Sequence, residues 1–206
     1  MFVNNQINIT FVDSYNDRYD HNMNLLLTPL QFQPKNIQMC EIKQNKMMSG
    51  IFTKLEYKDE SMVFNGIYIA FSIENPICEQ KEKVYRNVLL NRDTTSVTPS
   101  KTYNEIQFNI TPTNYQTITQ LSQIEASIIQ QYIKYIKSIK IYPYLLTQTQ
   151  KKHISIKHNL YNQKFKLYNS FIDNGPNTFM LKISGIWEDD THIGLTYKIL
   201  QINPVK

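Results

Sequence analysis

Alternation with a period of two runs through most of the chain and reaches its clearest form near the end. From Phe179 the residues Phe179, Leu181, Ile183, Gly185 and Trp187 share one side of an extended run, and Met180, Lys182, Ser184 and Ile186 share the other. After Glu188-Asp189-Asp190-Thr191 the pattern resumes, with Leu195, Tyr197 and Ile199 set against Thr196, Lys198 and Leu200. A strand buried on one face reads this way, and two such runs around a polar turn predict a long β-hairpin over about 178–202. The three acids between them read as a solvated turn.

Earlier alternation predicts further strands over Ile7–Val12, Asn36–Lys43 and Glu105–Thr111. Gly50–Ile73 reads as a hairpin whose arms flank Asp59-Glu60-Ser61. Lys81–Leu90 is mixed, readable as strand or helical turn, and Thr94–Thr102 is a polar loop. From Lys151 the chain reads as extended again: Ile154, Ile156 and Leu160 against Lys157, then Phe165 and Leu167 against Lys164, Lys166 and Tyr168. Asp173-Asn174-Gly175-Pro176 is a turn signal.

One segment departs from period two. Ile118, Leu121, Ile124, Ile128, Tyr132, Tyr135 and Ile139 recur at steps of three and four, which predicts one long helix over about 118–140. Ser122 with Glu125 fits a capping box at its start, Lys134, Lys137 and Lys140 suit its C-terminal turns, and Pro143 stops it. Its apolar stripe predicts packing on a sheet rather than on a membrane surface, because the polar side has few charges. The element order gives a single β-rich α+β domain over 1–206.

Composition narrows the compartment. The two cysteines, Cys40 and Cys78, form no metal-ligand spacing, and a disulfide framework is not expected. The first residues lack the basic and apolar parts of a signal peptide, and no run of about 18 apolar residues spans a bilayer. The abundance of Asn, Ile, Lys and Tyr with only 5 Gly points to an AT-rich genome.

Charge is informative once it is located. Residues 1–125 carry 11 Lys/Arg against 13 Asp/Glu, and residues 173–206 carry 3 against 4. Residues 126–172 hold 8 Lys and no acid, which predicts a polyanionic partner for that window. Catalytic signatures are missing: the four histidines are scattered, no phosphate-cradling or HExxH motif occurs, and no enzyme is expected. Asp13, Asp17, Asp20 and His21 match no calcium loop. No metal site or cofactor is expected.

The chemistry that remains is lysine with tyrosine. Lys151, Lys152, Lys157, Lys164, Lys166, Lys182 and Lys198 fall opposite apolar sets, with Tyr161, Tyr168 and Tyr197 as candidate stacking rings. Single-strand binders combine cations that track phosphates with rings on which bases stack. Trp187 shares its alternation with Phe179, Leu181 and Ile183, which assigns it to the core with its ring edge at a groove. The competing reading is lysine that merely solubilises outward-facing strand positions.

The run LKISGIWEDDTHIGLTYKIL, a strand ending near Trp187, a loop, Gly194 and a final strand, resembles the C-terminal signature of single-stranded-DNA-binding proteins of nucleo-cytoplasmic large DNA viruses. These are distantly similar to OB-fold single-strand-binding proteins of short-tailed phages. The resemblance covers about 27 residues. It implies an OB-like Greek-key barrel with an inserted helix, non-enzymatic and sequence-nonspecific binding of single-stranded DNA in viral replication or recombination, and a place in the host cytoplasm or nucleus. It also implies homo-oligomers and replication proteins as partners. The phage proteins' acidic tail has no counterpart at Asn203-Pro204-Val205-Lys206, so recruitment through a tail is not expected. Two other readings stand beside it: a virion or interaction protein with a β-sandwich fold, and a metal nuclease using Asp189 and Asp190.

Overall fold

The computed structural model describes residues 26–45, 50–59, 63–84, 100–139, 151–172 and 177–202. The strand at 7–12, the residues from Asp13 to His21, residues 94–99, the helix stop at Pro143 and the turn at 173–176 lie outside them; the last three residues of the loop expected over Thr94–Thr102 are strand instead. The described chain is β-rich α+β: ten strands in one mixed sheet, with two helices.

The expected C-terminal hairpin is present as β9 (Thr178–Glu188) and β10 (His192–Gln201), and it forms the spine of the sheet. Two strands share the free side of β9. The half from Gly185 to Glu188 pairs with β2 (Ile51–Lys58), and the half from Thr178 to Ile183 pairs with β4 (Ile67–Ser72), both antiparallel. β10 is shared in the same way by β7 (Lys151–His153) and β8 (Lys164–Leu167), both parallel. Beyond β2 lies β1 (Ile37–Gln44). Beyond β8 lie β6 (Ser100–Gln107) and β5 (Ile77–Val84). The path therefore ends at β1 on one side and β5 on the other. Among the described residues these ends do not pair, and the sheet is not closed into the expected barrel.

The arms of the expected 50–73 hairpin separate for the same reason. Only β3 (Val63–Phe64) pairs with β2; the chain then turns at Asn65-Gly66, and β4 leaves to join β9.

One face of the sheet is covered by α1 (Pro112–Ile139) and α2 (Ser155–Tyr161). The stripe Ile118, Leu121, Ile124, Ile128, Tyr132 and Ile136 is buried against inward residues such as Leu55, Ile69, Leu181, Ile183 and Leu195. α1 starts six residues before the periodicity predicts. Thr111 accepts the Asn114 N–H through Oγ1 at 3.1 Å, and Pro112 occupies the first turn, where a missing N–H costs nothing. Asn114 is fully buried and ties this start to the end of β4, accepting from Glu74 N at 2.8 Å and donating to Asn109 O at 2.8 Å.

Ser122 is thus mid-helix, donating to Ile118 O at 2.7 Å, and makes no capping box. Glu125 does cap a helix, but a different one. Its buried carboxylate accepts Ile156 N–H at 3.0 Å and Lys157 N–H at 2.8 Å, the first-turn amides of α2. Residues 155–161 are therefore helical rather than extended, and Ile156 and Leu160 bury one face at a spacing of four. Burial raises the Glu125 pKa, and the amides pointing at it act in the opposite direction.

Candidate functional site

The second face of the sheet carries the chemistry, and a bulge decides which residues reach it. Opposite Thr196–Tyr197, β9 contains one extra residue: Gly185 pairs with Thr196, and Ile183 with Tyr197. A β-bulge exchanges the faces of everything beyond it. Phe179, Leu181 and Ile183 point into the core as expected, but Ile186 and Glu188 take the inward positions after the bulge. Trp187 moves to the outer face, half-buried, contrary to the core position that strict alternation assigns it.

Two rows of side chains cross this face. The first, near the hairpin turn, follows the pairing Phe52, Trp187, Gly194, His153 across β2, β9, β10 and β7. The two glycines of the hairpin make room for its rings. A Cβ on Gly194 would sit 2.6 Å from Trp187 Cζ2, and one on Gly185 would sit 2.2 Å from Phe52 Cζ. Trp187 and Phe52 therefore cross the positions that these missing side chains would fill. His153 lies 5.7 Å from the Trp187 ring and 6.3 Å from the His192 ring, centroid to centroid.

The second row lies four residues further along β10, about 13 Å away at roughly 3.3 Å per residue. Lys182 and Lys198 are direct cross-strand partners. Two like charges placed opposite one another destabilise a strand pair. Each ammonium instead sits over a ring, Lys182 at 5.2 Å from Tyr68 and Lys198 at 5.7 Å from Tyr168. Lys166 lies 4.9 Å from both Tyr168 and Tyr103. Cation–π contacts of about 0.5–1 kcal/mol at exposed sites fix these ammonium groups without removing their charge. Lys164 is exposed on the same face of β8. Two acids continue the row on β6 and β5: Glu105, cross-strand from Lys166 and 3.9 Å from Lys81, and Glu79, cross-strand from Glu105 and paired with Lys81. Tyr168 is 46% exposed, which leaves its ring accessible, whereas Tyr68 is buried and donates to Asn65 O.

The sequence-predicted residues thus divide. Lys164, Lys166, Lys182, Lys198, Tyr168 and Trp187 share the outer face. Lys151 and Lys152 lie in β7 beside His192 and Ile193 of β10. Lys157 and Tyr161 are on α2, in the helical layer, with the ammonium 5.8 Å from the ring and Tyr161 edge-on to Tyr115. Tyr197 is turned away from the outer face. Its hydroxyl accepts from Asn159 of α2 at 3.0 Å, and burial raises its pKa, so it is no stacking platform. Phe52, Tyr103, His153 and His192 were missed. Glycines inside strands, which mark a close approach, were the available signal for the first of these.

The acidic turn is also not uniformly solvated. Glu188 is buried and accepts the Tyr132 hydroxyl at 2.6 Å, an arrangement that with burial holds the phenol far above its ordinary pKa. Asp189 folds back to accept the Thr191 and His192 amides, each at 2.7 Å, which lowers its pKa. Among the described residues no group of three or more His, Cys, Asp or Glu side chains is placed to hold a metal ion. No described helix is long and apolar enough to cross a membrane. No protein-family model, curated protein or solved structure matches the chain.

Proposed function

We propose that the outer face binds single-stranded nucleic acid, DNA in the first instance, without sequence preference and without catalysis. The observation that carries this reading is the second row. Lys182 stands directly opposite Lys198, and Lys166 and Lys198 are held against the accessible Tyr168 ring. Opposed cations cost stability in the empty protein, and a bound polyanion offsets that cost. The first row contributes Trp187 and Phe52 as stacking surfaces, for which any base is a partner. A strand running between the rows meets rings on one side and ammonium groups on the other. Duplex DNA hides its base faces and is expected to bind more weakly. Replication or recombination of viral DNA is the setting proposed, by the resemblance of the hairpin segment.

Four outer-face lysines, Lys164, Lys166, Lys182 and Lys198, set the expected salt dependence. With about 0.7 counterions released per phosphate, log affinity should fall against log salt with a slope of about −2.8. Neutralising five phosphates would give about −3.5. Anisotropy titration of labelled oligo-dT at several salt concentrations, with a duplex of equal length as competitor, tests this. A flat salt response, or equal affinity for the duplex, defeats the proposal; the latter result together with stable self-association favours the interaction-protein reading.

A further inference from the structure

A second basic site lies away from both rows, between the C-terminal half of α1 and the end strand β1. This cleft has a volume of about 580 Å³, within the range of small-molecule sites. Lys134 and Tyr135 line it from α1, Ile37 and Met39 from β1, Lys58 from the end of β2, and Lys35 from the short turn before β1. None of the lining residues is acidic. Three other strand lysines each have an acid beside them: Lys43 has Glu41 at 3.1 Å, Lys54 has Glu56 at 2.9 Å, and Lys81 has Glu79. Lys35, Lys58 and Lys134 make no ion pair among the described residues. Three cations without an ion pair among the described residues therefore line one cleft. Its floor is apolar, since Ile37, Met39 and Tyr135 are half-buried and pack against the core.

We infer that this cleft binds a nucleoside polyphosphate. The charges exclude an apolar ligand, and the floor gives a planar base something to cover, which a bare polyanion does not need. The phosphates belong with Lys35, Lys58 and Lys134, and the base belongs against Tyr135. Lys58 and Phe52 occupy opposite ends of β2, about 20 Å apart at roughly 3.3 Å per residue, so the cleft and the Trp187 row are separate sites.

Calorimetric titration of the full chain with ATP, tripolyphosphate and adenosine tests the assignment. ATP is expected to bind saturably without changing Trp187 emission, tripolyphosphate at least about tenfold more weakly, and adenosine not measurably. In K35Q/K58Q/K134Q, ATP affinity should fall by at least about tenfold while oligo-dT binding to the outer face persists. K35Q alone, at an exposed position, gives the same direction of change if the triple variant does not fold. Absence of saturable ATP binding, or unchanged affinity in K35Q and in the triple variant, overturns the site. Tripolyphosphate binding as tight as ATP overturns the nucleotide assignment.

Discussion

Replacing Glu125 with alanine removes the acceptor that starts α2. The carboxylate is buried and takes two amides, Ile156 N–H at 3.0 Å and Lys157 N–H at 2.8 Å. Ile154, at the N-cap position, offers no side-chain bond in its place. The buried Ile156 amide left without an acceptor costs about 1–3 kcal/mol and the part-buried Lys157 amide less, so the two together cost about 3 kcal/mol. Relief of the carboxylate's own desolvation, the cause of its raised pKa, returns a part. The net expectation is a loss of about 2 kcal/mol, or a fall in Tm of about 6 °C for a chain of this size. Urea unfolding followed by circular dichroism gives the energy, and amide exchange at Ile156 and Lys157 locates it. A loss below about 1 kcal/mol with unchanged protection would refute the capping role. The sign with pH is also fixed. The folded pKa lies above the ordinary 4.5, so between these values the folded chain keeps a proton that the unfolded chain has released. Stability is full below 4.5 and declines as pH rises through the folded value. Glu125→Gln, which does not titrate, should lack that decline.

Three further substitutions follow from the same packing. Tyr132→Phe strips Glu188 of its 2.6 Å donor inside the core and should cost about 1.5–3 kcal/mol in urea unfolding. Gly194→Ala drives a methyl group into the Trp187 ring and should cost about 1–3 kcal/mol while shifting Trp emission; unchanged emission would mean that the ring does not cross that glycine. Lys182→Gln removes one of two opposed charges. Relief of that repulsion offsets the lost Tyr68 contact, so the stability of the empty fold should change by less than about 0.5 kcal/mol while the salt slope of oligo-dT binding falls by about 0.7.

Much of the sheet and the long helix is legible in local periodicity, because a one-face-buried strand and an amphipathic helix each write their burial into residue spacing. The hairpin 178–201 and the α1 stripe are examples. What escapes is decided at a distance. Residues 155–161 coil because Glu125, thirty residues earlier, supplies their cap, and nothing within Lys151–Leu160 announces it. The strand expected over Glu105–Thr111 in fact stops at Gln107, and Pro112 begins a helix instead of ending a strand, with Thr111 as its cap. Trp187 reverses face through one extra residue at Ser184–Gly185, and alternation carries no sign of a bulge beyond a glycine. The lysines at 164, 166, 182 and 198 lie on stretches of strand that the β9 bulge does not interrupt, so their common face was readable. Lys157 and Tyr161 fell to the other layer with α2. Openness of the sheet was likewise invisible, since strand patterns do not say which strands pair.

The most direct measurement is the quenching of Trp187 by oligo-dT, in the parent chain and in K166Q/K198Q. A strand seated between the two rows should quench the single tryptophan saturably, and the variant should reach the same quench only at higher oligonucleotide concentration, with a salt slope smaller by about 1.4. Binding that leaves Trp187 emission unchanged, or that keeps its affinity and salt slope in the variant, would place the nucleic acid elsewhere and contradict the outer-face site.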